Sequence, residues 1–477
     1  MARSRIPPEA LKENALSGAS RALRADLKRL EEMFTVTDKQ LKQITEQFIK
    51  ELEKGLSNGG GNIPMNITWV LGFPSGNEQG KFLTLDMGGT NLRVCEVVLT
   101  DVRGEFQVTQ SECRMPDELK SGTPDQLWGF IAGCIGDFVE QHHLSPEQPS
   151  GKLPLAFTFS YPVTQLSIRQ GILQRWTKDF DIDGIEGHDV VPQLEAALKE
   201  RNIPVKVVAL VNDTTGALVA SAYSNSEVKI GSILSTGCNA AYMEECSSVA
   251  KMKGDGVPGC TPVAINTEYG AFDNEHKVLP LTSFDCAIDE SSPRPGQQTY
   301  EKMVAGLYMG ELLRLVLLDL HDRDELFQDQ DVLRLRQDHV VDCAFLAKIE
   351  EGTVEDISKA FNDMLGIKPS AQELLVGRYL AELIVTRAAR LYACGIAAIC
   401  KKKNIRSCRV GVDGSVFNNY SLFRERAAQA LREILDWPED CEALVTLHSA
   451  EDGSGVGAAL IAAIGLERLK GKQDESS

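Results

Sequence analysis

Two stretches of this chain carry the residue types that phosphate chemistry uses. In Leu83–Val94, LTLDMGGTNLRV, an alternation of Leu83, Thr84 and Leu85 suited to a half-buried strand runs into Asp86 and the pair Gly88 and Gly89. Glycines, lacking Cβ, let backbone N–H groups close on an anion. Thr90 and Asn91 add short donors, and Asp86 is suited to hold a hydrated Mg2+. The same Asp-x-Gly-Gly pattern also serves a plain hairpin turn. The second stretch, Pro204–Val211 (PVKVVALV), has the continuous β-branched character of a strand buried on both faces, and it ends at Asn212 and Asp213 before a helical GALVASAY. Ligands gather beyond the carboxyl ends of strands in open α/β sheets, which suits Asn212 and Asp213 to chemistry, although such residues also serve simply as helix caps.

The first pattern returns downstream. Gly231–Ala240 (GSILSTGCNA) again ends an apolar run in a hydroxyl, a glycine turn and an Asn, and Val410–Ser415 (VGVDGS) is a third strand-and-turn. Repetition of one phosphate-turn design predicts two similar α/β halves facing each other across a cleft. Glycines in Glu451–Gly457, ahead of the helical AALIAAIGLERL, would let a nucleotide approach a helix N-terminus.

The positioning elements are legible in outline. Leu16, Leu23, Leu27 and Leu30 predict one amphipathic helix over Leu16–Met33, and Thr37 with Gln40 forms a capping box for a second that stops at Ser57. A helix is expected over Gln126–Gln141, a strand over Leu153–Pro162, and helical scaffold around Glu301–Leu320 and Leu374–Cys400. The polar tail after Leu469 is expected to lack structure.

At 477 residues the chain is long enough for two or three cores. Its formal charge of −18 repels nucleic acid and anionic membrane, so any phosphate ligand must be held by a local site. No apolar run reaches the roughly 20 residues of a spanning helix, so no membrane association is expected. Twelve cysteines without a CxxC pair read as reduced thiols, with a cytoplasmic location implied.

With these residues laid out, the chain resembles the hexokinases, fungal ones most of all, from about Phe34 to about Leu469. Residues 155–180, LAFTFSYPVTQLSIRQGILQRWTKDF, parallel the family's sugar-binding signature. LDMGGTNLRV, LVNDTTGALVAS, STGCNAAYME, INTEYGAFDNE, SPRPGQQTYEKM, GVDGSV and AEDGSGVGAAL follow in family order. The resemblance implies an α/β fold of two unequal domains of the actin and ribonuclease H type around a cleft. An N-terminal region would span 15–222, with a small-domain core at about 80–222 and its first helices packing on the large domain, and the large domain would span 223–469. The implied reaction is transfer of the ATP γ-phosphoryl group to the 6-hydroxyl of glucose, fructose or mannose, with domain closure on sugar binding, by a monomer or homodimer. A kinase confined to glucose, and a catalytically weak sugar-sensing protein, would use the same residues.

The matched positions imply Ser160, Thr177, Lys178, Asn212, Asp213, Asn239, Glu268, Gln298 and Glu301 as sugar contacts, a set of short polar groups that suits a ring of hydroxyls. Asp213 would be the general base, and Lys178 would offset charge on the transferring phosphoryl group. For ATP, Asp86, Gly88, Gly89, Thr90, Asn91 and Arg93 match the first phosphate turn, with Asp86 reaching Mg2+ through water. Thr236 and Gly237 match the second turn, and Asp413, Gly414, Ser415, Gly453 and Ser454 the adenosine side. Two residues depart from the family pattern. Asp179 replaces the usual Gly and would compete with phosphate for Lys178, and Ser235 replaces a Gly, so that its Cβ would narrow the allowed backbone.

Overall fold

The computed structural model describes residues 8–88, 91–100, 102, 104–146, 151–176, 180–252, 257–438, 441–450 and 452–474. Two sheets with one topology organise the chain. The first is built from β2 (Gly80–Met87), β3 (Asn91–Leu99), β4 (Phe106–Arg114), β5 (Leu153–Phe159) and β8 (Val205–Val211) in the order β4-β3-β2-β5-β8. The second contains β9 (Val228–Leu234), β10 (Cys238–Glu245), β11 (Pro262–Asn266), β12 (Cys408–Asp413) and β13 (Val445–Ser449) in the order β11-β10-β9-β12-β13, with β1 (Asn66–Leu71) added at the β11 edge. In each, three antiparallel strands are followed by two that run parallel to the first. The repeated turn motif is therefore the trace of a repeated sheet. A small hairpin, β6 (Val163–Ser167) with β7 (Gln170–Leu173), follows β5.

The parallel strands explain why the motifs converge. Residues Met87 and Phe159 are in register, as are Thr158 and Val211, so Gly88, Ser160 and Asn212 leave three adjacent strands at the same edge. β8 itself is not buried on both faces throughout as the sequence suggests, because Lys206 is exposed and Val208 half-buried where the strand enters the sheet.

Helices α1 (Pro8–Ser17), α2 (Arg21–Phe34) and α3 (Asp38–Leu56) open the chain. The single helix expected over Leu16–Met33 is thus interrupted at Gly18–Ser20. Ser20 supplies the reason, since its Oγ accepts from Leu23 N at 2.9 Å and starts a new helix there. The Thr37 and Gln40 capping box forms as the sequence indicates. Leucines and aromatics of α2 and α3 join the main hydrophobic core with the second sheet and the long helices beyond it, among them α9 (Gly306–Asp322).

α4 (Pro124–Gln141) and α5 (Val190–Glu200) cover one face of the first sheet. α6 (Asp213–Ser224) leaves β8 and packs on β9 and β10 of the second sheet, so Asp213 starts a helix that joins the two halves. The last helix, Ala458–Asp474, packs back on β2, β5 and β8, and runs past Leu469, where the sequence suggested an unstructured tail. The chain-order division at 222/223 is therefore crossed by a returning helix. The helix Ala371–Lys402 is long and apolar enough to cross a membrane by length and composition, yet 83% of its most apolar stretch is buried within the protein. A helix apolar on all sides is what the centre of a large core requires.

Candidate active site

At the edge of the first sheet, Gly88 N donates to Asn91 O at 3.1 Å and closes the β2–β3 turn, while Tyr161 Oη donates to Gly88 O at 3.1 Å. Gly89 and Thr90 lie outside the described residues, as do Thr177, Lys178 and Asp179. Asn91 is exposed at the start of β3. Asp86 pairs in register with Arg93, and the two side chains approach to 4.0 Å. Arg93 faces elsewhere with most of its donors. Its Nη1 and Nη2 reach the two oxygens of Asp452 at 3.0 and 2.6 Å, and Nη2 also donates to Ser454 Oγ at 2.6 Å. Burial opposes the guanidinium charge, but Asp452 more than offsets this and holds Arg93 protonated. The side chain thus fastens the first turn to the 452–455 segment.

Ser160 is half-buried beyond β5. Asn212 is indeed a helix cap, its Oδ1 accepting from Thr214 N at 3.0 Å, and Asp213 Oδ1 accepts from the same N–H at 2.7 Å and from Thr214 Oγ1 at 3.1 Å. These capping bonds engage Oδ1 of the Asp213 carboxylate.

Across from Asp213 lies a dense polar network at the ends of β10 and β11. Asn239 Nδ2 donates to Asn266 Oδ1 at 2.7 Å and to Glu268 Oε1 at 2.9 Å, and Asn266 Nδ2 donates to Glu268 Oε1 at 2.8 Å. Asn239 Oδ1 accepts from Glu268 N at 3.0 Å. Burial pushes the Glu268 carboxyl above its ordinary value; the Asn266 donor opposes this, the charge of Asp213 adds to it, and Asn239 and Arg175 oppose it further. Asp213 and Glu268, drawn from the two sheets, therefore share one electrostatic environment.

Glu268 (φ 54°) and Gln298 (φ 57°) both hold the left-handed backbone that side chains seldom adopt, and such strain gathers at functional sites. Gln298 Oε1 is buried without a hydrogen-bond partner, an acceptor suited to a hydroxyl. Gln298 precedes α8 (Thr299–Val304), on which Glu301 Oε2 accepts from Cys238 N at 2.9 Å. Space for that carboxylate depends on Gly237, where a Cβ would sit 2.6 Å from Glu301 Oε2.

The other turns also meet. Thr236 is exposed in the β9–β10 turn beside half-buried Gly237. Asp413 Oδ1 accepts from Gly414 N at 2.7 Å, and Gly414, at φ 121°, could not carry a Cβ without meeting Leu234 O at 2.3 Å. Ser415 Oγ lies 3.0 Å from Ser235 Oγ. Gly453 is buried against α6, where a Cβ would come within 2.4 Å of Ala217 N, so its missing side chain serves helix packing here. Ser454 O accepts from Thr158 Oγ1 at 3.1 Å. Ser235 is not among the residues with positive φ, so its Cβ is accommodated without the backbone cost that the glycine of the family pattern suggests.

Three residues joined to this site escaped sequence reasoning. Asn266 closes β11 two positions before Glu268, and nearness in the sequence was its one readable signal. Arg175 is half-buried with its Nε unpartnered, under the charges of Glu268 and Glu301, and Arg294 donates from Nη2 to Trp176 O at 3.1 Å. Arg175 lay in view beside Thr177 and Lys178, but nothing in its spacing marks it as facing the carboxylates of another sheet.

For Mg2+, no group of three or more His, Cys, Asp or Glu suited to a metal occurs among the described residues. Asp86, with its side chain 26% accessible at a strand end, fits an ion that keeps its waters and arrives on nucleotide phosphates.

Two family models, both described as hexokinase, match residues 26–223 and 229–464. The chain is 56% identical over 469 residues to the hexokinase of Emericella nidulans, covering 97% of this chain and 95% of that one. It is 48% identical over 471 residues to Hexokinase-2 of Saccharomyces cerevisiae, covering 97% and 96%. The solved structure of the Schistosoma mansoni hexokinase complexed with glucose matches with a TM-score of 0.84 at 33% identity, over 96% of this chain and 99% of that one.

Proposed function

Because this chain belongs to the hexokinase family and catalyses the ATP-dependent phosphorylation of hexoses, we propose that Asp213 is its general base and that Ser160, Asn212, Asn239, Glu268, Gln298 and Glu301, with Thr177 and Lys178, hold the sugar. The observation that carries this reading is the shared environment of Asp213 and Glu268 beside Asn239 and Asn266. Asp213 takes the proton of the 6-hydroxyl as the hydroxyl oxygen bonds to the γ-phosphorus, the bond from that phosphorus to the β,γ-bridging oxygen breaks so that ADP leaves, and Lys178 meets the charge that develops on the phosphoryl oxygens. Asp86 would hold Mg2+ through water, and the ion would neutralise phosphate charge. The first turn (Asp86, Gly88, Gly89, Thr90, Asn91), tied by Arg93 to Asp452 and Ser454, and the second (Thr236, Gly237) embrace the phosphates, and the Asp413–Ser415 segment and Ser454 flank the adenosine, with Gly453 packing that last segment on α6.

Glucose, fructose and mannose are the expected acceptors, and a coupled assay on the three sugars tests that range. Twelve thiols without a disulfide suit a reducing compartment, and we place the protein in the cytoplasm. Since the proposed sugar contacts come from both sheets, a bound hexose draws the halves together and assembles the site only around a proper acceptor. Solution scattering is expected to show a smaller radius of gyration with glucose; unchanged dimensions would refute closure.

The environment of Glu268 supplies a pH signature. Its pKa is raised, so lowering pH from 7 protonates it before an ordinary Glu, and the acceptor it offers the sugar is lost. Glucose affinity, followed by tryptophan fluorescence, is expected to weaken as pH falls from 7, before the pH at which an ordinary Glu protonates. The variant E268Q should bind glucose about 10- to 100-fold more weakly at pH 7, the value of one or two charged hydrogen bonds, and should lose that pH dependence. A pH dependence that persists in E268Q would assign it to another group.

A further inference from the structure

Hydrogen bonds that phosphoryl transfer itself does not use link the two later strand-end turns to each other and to the sugar segment. Ser235 Oγ lies 3.0 Å from Ser415 Oγ and accepts from Ser415 N at 3.4 Å. The carbonyl of the same Ser235 accepts from Gly306 N at 2.8 Å, and Thr236 O from Leu307 N at 3.4 Å. Gly306 follows α8, the segment that carries Glu301, whose Oε2 holds Cys238 N at 2.9 Å. The β9–β10 turn is thus gripped on one side by the segment bearing Gln298 and Glu301, and on the other by the segment after β12. Packing leaves little slack, since a Cβ on Gly306 would meet Ser235 O at 2.8 Å and Val416 Cγ2 at 2.6 Å. A glycine at 235 would keep the carbonyl link and lose the hydroxyl one.

We propose that Ser235 is a positioning residue for the nucleotide, its hydroxyl fixing Ser415 against the Thr236–Gly237 turn so that hexose contact with Glu301 is passed to the nucleotide side through one residue. This rests on the reading of Thr236, Gly237 and Ser415 as nucleotide contacts. By linkage, an affinity gain passed from hexose to nucleotide must be returned from nucleotide to hexose.

The test compares S235A, S235T, S415A and the double variant S235A/S415A with the parent enzyme. Loss of one such hydrogen bond is expected to raise KM for MgATP about three- to tenfold in S235A, with kcat within about twofold, and KM should rise at least as much in S415A. S235T, which keeps the hydroxyl, should recover most of the parent KM. The double variant should be no worse than S415A, because S415A already removes the bond that S235A removes. Glucose affinity without nucleotide should be unchanged in S235A, while the gain in glucose affinity on adding a non-hydrolysable ATP analogue should shrink by the same factor as the gain in that analogue's affinity on adding glucose. An unchanged KM in S235A, or additive effects in the double variant, would overturn the proposal. G237A separates the two layers: its Cβ would crowd Glu301 at the turn itself. If G237A raises KM for MgATP while S235A does not, the nucleotide site stands and Ser235 has no part in it. If neither does, both fall.

Discussion

Replacing Asp213 by Asn is expected to lower kcat by about 10²- to 10⁴-fold, the range of a positioned general base, while glucose affinity stays within a few-fold of the parent. Asn is the informative substitution because its Oδ1 can still accept from Thr214 N and Oγ1, as Asp213 Oδ1 does, so the start of α6 is preserved. What changes is the second position, where an amide donor replaces a carboxylate oxygen and no proton can be accepted. Steady-state kinetics beside a fluorescence titration with glucose read the two effects apart. Parent-like kcat would remove Asp213 as the base. Removing the charge of Asp213 also lifts one of the two influences that push the Glu268 carboxyl up, so any pH dependence of glucose affinity should move to lower pH in D213N.

The largest expected loss of stability lies far from the chemistry, at Arg387. This side chain is fully buried in the helix Ala371–Lys402, donates to both oxygens of Asp285 at 2.7 Å, and lies over the Phe34 ring at 5.0 Å. Asp285 belongs to α7 (Ser283–Ser291) and also accepts from Thr282 N and Oγ1 as its capping box. R387M keeps volume and leaves a buried carboxylate unpaired, at an expected cost of about 3–5 kcal/mol. R387M/D285N, which retains an acceptor for Thr282 without the charge, should recover part of that loss. Denaturant midpoints of the three proteins measure this, and an R387M midpoint equal to the parent's would show the pair to be dispensable.

The same pair fixes the direction of a pH effect. Although burial acts to raise it, Arg387 holds the Asp285 carboxyl below its ordinary value. Its contribution to stability is therefore present above the unfolded carboxylate pKa of about 3.9 and is lost as pH falls through the lower folded value. In R387M the sign reverses. An unpaired buried carboxylate has a raised pKa, so that variant should gain stability relative to the parent as pH falls from 7 towards 5.

Both substitutions show how differently residues announce themselves. Asp213 was legible because a β-branched run stops at Asn-Asp ahead of a helical pattern, and strand ends are where α/β sheets present side chains. Arg387 was not, since an arginine within a long apolar helix carries no sign of which carboxylate it will meet 102 residues away in sequence. Arg93 falls between. Its place after the glycine turn suggested phosphate, and the fold gives most of its donors to Asp452 and Ser454, more than 350 residues later. Gly453 is alike: a glycine before a helix suggested room for a nucleotide, and here that room is filled by α6. The break at Gly18–Ser20 escaped because leucine spacing continues through it, while one serine hydroxyl decides locally that a new helix begins.

Local features can be read along the chain: strands ending in glycine turns, caps, the doubled motif, and the polar residues at strand ends that carry the family likeness. These follow from neighbours in the chain, where periodicity and backbone sterics act over a few residues. Which of those ends meet becomes visible once the chain is folded. Asn239, Asn266 and Glu268 form one network facing Asp213, Glu301 grips the turn at Cys238, and Ser235 reaches Ser415 across 180 residues. The physical reason is that hydrogen bonds and charges at a site act over a few ångströms in space, and strand order and register, set by burial of the two sheets, convert remote positions in the chain into neighbours.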